Sequence, residues 1–287
     1  MAIDPHELVK GVTKLASLPE VCVRVNEMVD DPRCSAASIG KVITQDTALS
    51  AQLLRISNSA FFNFPSQIST ISRAITVIGE RELRYLVLAM SAVRSFEQVP
   101  TNVINMATFW RHSVYVGALA RLIAKRCHVL HSERLFVAGL LHDVGLLVLL
   151  MREPELVKKA LEGAEFSGEA LYLCEQTLLG CDHAAVGYAL LKAWNLPPAL
   201  CDAVGSHHDM ANGGEARLDA AIIYLADIIA NKAEMSVDYS GSVVAFDPLV
   251  WEISGLSEEL VPELMADVEP LFAESWALIQ PLVRQAK

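Results

Sequence analysis

Residues 140–151 read LLHDVGLLVLLM, and within this stretch His142 and Asp143 are the only ionisable side chains. Removing water from a carboxylate costs several kcal/mol unless a cation or a full set of hydrogen bonds replaces it. A His-Asp pair among leucines therefore predicts a specific partner, and a divalent ion is a strong one. The apolar run continues at helical spacing on both sides, which predicts a helix over 133–151 carrying the pair near its middle or C-terminal half. Working outward, apolar residues recur at helical spacing through nearly every segment, and alternating β-branched strand patterns are scarce. The chain is read as all-α, a multi-helix bundle.

Starts and stops support this reading. Ser35, Asp46 and Asp182 are good N-cap residues placed just before periodic stretches. Pro19, Pro32, Pro65, Pro100, Pro154, Pro197, Pro198 and Pro248 fall between periodic segments, where a missing N–H does little harm. Further helices are predicted over 101–127, 182–195, 197–209 and 215–233, with a flexible turn at Ala211-Asn212-Gly213-Gly214. Pro100 is the best boundary between halves. Residues 236–248 are read as a linker before two amphipathic C-terminal helices. The expected organisation is an N-terminal helical subdomain over 1–100, a second helical subdomain with the metal site over 101–235, and a C-terminal extension over 236–287.

Composition bounds the function. Hydrophobic residues make up 53% of the 287-residue chain, but no apolar run is expected to reach the roughly 18 to 20 residues of a bilayer span. The N-terminus, MAIDPHELVK, lacks the basic and apolar regions of a secretory signal, so a cytoplasmic protein is expected. Six cysteines without a CxxC pair read as reduced core thiols. A net charge of −11 argues against nucleic acid as a partner.

Five polar spots recur in apolar helical contexts: His112, His142-Asp143, His183, His207-His208, and Asp227 inside YLADIIA. Imidazole nitrogens and carboxylate oxygens together suit Fe, Mn, Zn, Co or Ni, as one ion or two. A carboxylate can bridge two ions about 3.5 to 4 Å apart and activate water between them, and Asp143 is the natural bridge. If chemistry occurs, Asp143 and His142 are its candidate catalytic residues, with Arg111 or Lys192 as possible neutralisers of substrate charge. Each spot has a plainer reading. A lone His on an apolar helix is usually a core residue bonded to a backbone carbonyl. His207 and His208, as helical neighbours, are expected to diverge by about 100° and so to serve different ligands. Trp110, Tyr115 and Trp194 read as core packing, and His6, His128 and His131 as solvated.

The order His112, His142-Asp143, His183, His207-His208, Asp227 resembles the HD-domain superfamily of metal-dependent phosphohydrolases. That resemblance implies His112, His142, Asp143 and Asp227 as ligands of a first ion, and His183 with His207 or His208 near a second. A closer resemblance, over residues 13–210, is to the HDOD family, the HD-related output domains of bacterial signalling. It is carried by LASLPEVCVRVNEMVDDP, DTALSAQLL, NSAFF, LLHDVG and DHAAVGYALLKAWNLP. It implies regulation through a signalling protein partner, with catalysis not required; a phosphate-containing small molecule is a further candidate ligand. Two features set the chain apart from the cyclic-dinucleotide phosphodiesterases of the superfamily. Leu146 follows Gly145 where they carry a lysine, and nothing like their GYP stretch follows the His pair. Three functions remain open: signalling by binding, metal-dependent phosphoester hydrolysis, or an ion-free hydrogen-bond network that only holds helices together.

Overall fold

The computed structural model describes residues 2–12, 17–59, 62, 64–96, 99, 103–233 and 245–284. The boundary at Pro100 and most of the linker over 236–248 lie outside them. Among the described residues there are sixteen α-helices and no strand. The first six are α1 (Pro5–Val12), α2 (Glu20–Asp30), α3 (Ala36–Ile43), α4 (Thr47–Ser57), α5 (Ile71–Ile78) and α6 (Glu80–Ser95). The next six are α7 (Met106–Arg126), α8 (Glu133–Leu141), α9 (Val144–Arg152), α10 (Pro154–Ser167), α11 (Leu171–Leu179) and α12 (His183–Ala193). The chain closes with α13 (Pro198–Gly205), α14 (Arg217–Ala233), α15 (Pro248–Ser254) and α16 (Val261–Arg284).

The predicted caps form. Ser35 and Ser38 make a reciprocal capping box at α3, and the Asp46 carboxylate accepts the Leu49 N–H at 2.8 Å. Asp182 accepts the Ala185 N–H at 2.8 Å and starts α12. Asn58 ends α4: its amide donates to the carbonyls of Leu54 and Ile68, both at 2.7 Å, while its oxygen accepts the Ile68 N–H at 2.7 Å. Four helices were placed a few residues too long, as frayed ends commonly are. The turn expected at 211–214 is instead two short 3-10 segments, Met210–Asn212 and Gly214–Ala216.

One apolar core runs from Leu8 to Leu282, with α6 packed against both α2 and α8. Helix α1 lies on α9 and α12, and α16 crosses α7, α6 and α4. Trp251 and Trp276 pack on this core. Trp110, Tyr115 and Trp194 are buried, and all six cysteines are unpaired.

Residues 133–151 do not form one helix: the chain breaks at His142-Asp143, between α8 and α9. Apolar residues on both sides of the break left no sequence signal for it. The stretch Glu133–Arg152 also does reach span length, with a mean hydropathy of 1.9, contrary to the expected absence of such a run; 89% of the apolar window is buried inside the fold.

Close backbone crossings fix the two sides of that break. A methyl group on Gly139 would lie 2.8 Å from the Gly117 Cα, so α7 and α8 touch through glycine. A methyl group on Gly145 would lie 2.0 Å from the His183 carbonyl oxygen and 2.5 Å from the Gly187 nitrogen, so the start of α9 rests directly on α12.

Candidate metal centre

Helix α7 brings His112 into the core, where its Nε2 lies 3.1 Å from Asp227 Oδ1 on α14. Asn231, one turn further along α14, donates its amide to the same oxygen at 2.9 Å. His142 faces them from the end of α8. Its Nδ1 is 2.8 Å from the Gly139 carbonyl, which can only accept, so Nδ1 carries the proton and Nε2 points inward. That Nε2 is 3.3 Å from Asp143 Oδ2 and 3.6 Å from Asp227 Oδ1, yet it is buried without a hydrogen bond among the described residues.

A second group faces the first. His183 opens α12, and its Nε2 lies 3.1 Å from Asp143 Oδ1 and 2.8 Å from His208 Nε2. His207 repeats the His142 pattern: Nδ1 meets the Val204 carbonyl at 2.6 Å, and Nε2 is buried with no hydrogen-bond partner among the described residues, 3.9 Å from Asp143 Oδ1. His207 and His208 converge, with ring centroids 3.9 Å apart, because α13 ends at Gly205 and they stand in the turn beyond it. The divergence of about 100° expected of helical neighbours therefore does not apply.

Asp143 joins the groups. It occupies the N-cap position of α9 but makes no cap hydrogen bond; its Oδ2 faces His142 and its Oδ1 faces His183 and His207. An N-cap aspartate normally accepts a backbone N–H, worth about 1 kcal/mol, so here that contribution is given up for the site. All seven residues singled out from the sequence come together. The ligand atoms of His112, His142 and Asp227, of His142, Asp143 and His207, and of His183, His207 and His208 form three triads, each within 4.8 Å.

Glu175 was missed. It is fully buried on α11, and its Oε2 accepts the His183 backbone N–H at 2.8 Å and faces His183 Nδ1 at 2.6 Å. Its spacing of four from both Leu171 and Leu179, which share its helix face, was the available signal. Tyr172, a turn earlier, stacks on His208 with centroids 4.2 Å apart. Arg111 and Lys192 are both exposed and lie over the rings of Phe272 and Tyr188. His6, His128 and His131 are exposed, as expected, with His131 paired to Glu82.

The electrostatics describe a site in need of positive charge. Burial opposes charge on His142, but Asp143 and Asp227 outweigh it and lift its pKa to about 10. Burial likewise opposes charge on His183, and Glu175 with Asp143 carries it well above the ordinary value. Burial acts to raise both aspartates, yet His142 with His183 holds Asp143, and His112 with His142 holds Asp227, well below the usual carboxylate range. Burial, reinforced by His142 and His183, lowers His207 to about 4. His208 is lowered well below its ordinary value by burial, His207 and His183. Two protons on His142 and His183 thus stand where divalent charge fits. The unpartnered Nε2 atoms of His142 and His207, with carboxylates between them, fit a nitrogen- and oxygen-liganded transition metal.

The fold has solved relatives. A Geobacter sulfurreducens HDOD domain protein of unknown function superposes with a TM-score of 0.73 and 24% identity, covering 96% of this chain and 97% of that one. A Shewanella amazonensis SB2B protein, provisionally named a phosphohydrolase, gives a TM-score of 0.72 and 24% identity, covering 95% of this chain and 97% of that one. An uncharacterized protein of Treponema pallidum (strain Nichols) is 25% identical over 206 residues, which is 71% of this chain but only 39% of that protein's length. The HDOD domain family model matches residues 15–210, well over half of the sequence, and the chain belongs to the HDOD domain family.

Proposed function

We propose that this chain is a regulatory HDOD protein that retains an HD-type metal centre and acts mainly by binding a protein partner or a ligand. One observation carries the reading: the buried, unpartnered Nε2 atoms of His142 and His207 flank Asp143, whose two oxygens face separate histidine groups. His112, His142, Asp143 and Asp227 would hold one ion, and Asp143, His183, His207 and His208 a second. When bound, a divalent ion supplies compact positive charge to the buried carboxylates and can act as a Lewis acid that lowers the pKa of water. The residues of the chain bind and orient: carbonyls of Gly139 and Val204 fix two histidine tautomers, and Glu175 fixes a third. Helix α6 packs on α8, which ends at His142, giving a continuous path between the N-terminal helices and the centre. A partner that favours one arrangement of that contact would shift its population.

The division of Asp143 between two histidine groups also favours a second reading, hydrolysis of a nucleotide or other phosphoester. The basic residues suggested for holding such a substrate, Arg111 and Lys192, lie over the rings of Phe272 and Tyr188, and Leu146 is wholly buried. Metal analysis of protein purified without added ions, followed by a phosphatase and phosphodiesterase panel with Mn2+ or Ni2+, separates the possibilities. Bound metal without turnover supports regulation by binding. Turnover that vanishes in Asp143→Ala supports the hydrolase. Absence of metal from both purified and reconstituted protein leaves a purely structural polar network.

A further inference from the structure

Helices α10 and α11 form a hairpin that is rooted in the main core at its ends, through Val157 and Leu179. Between these roots it has its own small apolar cluster of Ala160, Ala164 and Cys174. Its outer part is open to solvent, with Phe166 95% exposed. Against this background Glu175 is anomalous. A fully buried carboxylate reaches from the hairpin into the centre, and its Oε1 has no hydrogen-bond partner among the described residues. Such a group is costly unless positive charge lies beside it. The neighbour is His183, at 2.6 Å through Nδ1, while the opposite nitrogen of that ring faces Asp143 and His208.

We propose that Glu175 is a positioning residue that links ion loading on the His183 side of the centre to docking of the α10–α11 hairpin; this rests on the metal reading above. Glu175 holds the proton on His183 Nδ1 and so turns Nε2 toward the ion. An ion held by Nε2 would put divalent charge beyond the ring in place of a single proton, and so would offset the buried Glu175 carboxylate more fully. Docking and ion binding then favour each other by the same factor, as any linked pair of equilibria must. The Tyr172 stack on His208 gives α11 a second contact with the same half of the site. The hairpin is thereby an element whose stability reports whether the centre is loaded.

Hydrogen exchange with mass spectrometry on the full chain tests this, comparing chelated protein with protein saturated with Mn2+. Amides of α11 are expected to exchange about tenfold more slowly with Mn2+, a typical size for linked sites, while those of α3 and α4 do not change. In Glu175→Gln the amide oxygen still accepts from Nδ1 without adding charge. Its α11 is expected to gain nothing from Mn2+, and the variant to lose about tenfold in one of two Mn2+ binding steps by calorimetry. A purely structural Glu175 gives a different result, with α11 loosened alike in chelator and in Mn2+ and the response to Mn2+ kept. Wild-type α11 exchange that ignores bound Mn2+, or a Glu175→Gln variant that keeps the full Mn2+ response, overturns the linkage and leaves the metal reading intact. Failure of wild type to bind Mn2+ at all overturns the metal reading and the linkage with it. If the variant folds poorly, the wild-type comparison alone decides.

Discussion

Asp143 Oδ1 lies 3.1 Å from His183 Nε2, across the point where α9 rests on the first turn of α12. The contact exists because the chain bends at His142-Asp143, which frees the aspartate from capping α9 and turns its second oxygen toward His142. One side chain therefore belongs to both histidine groups, and its removal should be felt by both. Asp143→Ala is expected to lower the affinity of each ion by more than about 100-fold, beyond the usual effect of losing a supporting residue, with far-UV circular dichroism unchanged. Calorimetric titration with Mn2+ checks this; retention of either ion at wild-type affinity contradicts the bridging role.

Asp227 lies on one side only, 3.1 Å from His112 and 3.6 Å from His142. Asp227→Ala should abolish one binding step and leave the other nearly unchanged, with the helical signal kept. Competition with a chelator of known affinity separates the two steps. Full retention of both ions would remove Asp227 from the ligand set.

The histidines give the chelated protein a stability optimum near pH 6.5. His142 is raised to about 10 and His183 is raised as well, so their contributions are complete below the unfolded value of about 6.5 and are lost as pH rises through the folded values. His207 is lowered to about 4 and His208 is also lowered, so the unfolded chain takes up their protons first as pH falls below about 6.5, and stability declines on that side too. Thermal melts from pH 5 to 9 in chelator should show this maximum. With Mn2+ present the alkaline decline should shrink, because ligand histidines must be neutral and ion binding displaces the protons on His142 and His183. Proton release should also appear as a buffer dependence of the calorimetric enthalpy.

Much of this was legible because the cues are local. Ser35, Asp46 and Asp182 are polar residues immediately before apolar periodic runs, and a cap is satisfied within its own helix turn. His142-Asp143 declared itself by cost, as a pair of ionisable groups in a leucine-rich stretch. The bend at that pair was hidden, since LL on one side and VGLLVLL on the other are equally good helix. The convergence of His207 and His208 depended on α13 stopping at Gly205, a boundary that propensity places only to within a few residues. Glu175 carried only the faint cue of sharing a face with Leu171 and Leu179, because Tyr172, Gln176 and Thr177 around it read as an ordinary half-exposed helix and the contact with His183 on α12 is tertiary.

Gly145 gives the sharpest test of how the fold builds the site. An added methyl group would sit 2.0 Å from the His183 carbonyl oxygen and 2.5 Å from the Gly187 nitrogen, both backbone atoms that cannot rotate away. Gly145→Ala must therefore push α9 off α12 and separate Asp143 from His183. Overpacking of this kind costs about 1 to 3 kcal/mol or more, so urea denaturation should show a clearly lowered midpoint, and the His183-side ion should be lost even where the protein still folds. Gly163 is the control: it lies inside α10, and a methyl group there would meet only Cys174 Sγ at 3.8 Å, an ordinary contact. Gly163→Ala should be neutral or stabilise by up to about 1 kcal/mol, the helix-propensity difference, with both ions retained. Equal effects of the two substitutions would mean that the α9–α12 contact is looser than the backbone crossing requires, and that something other than this crossing aligns Asp143 with His183.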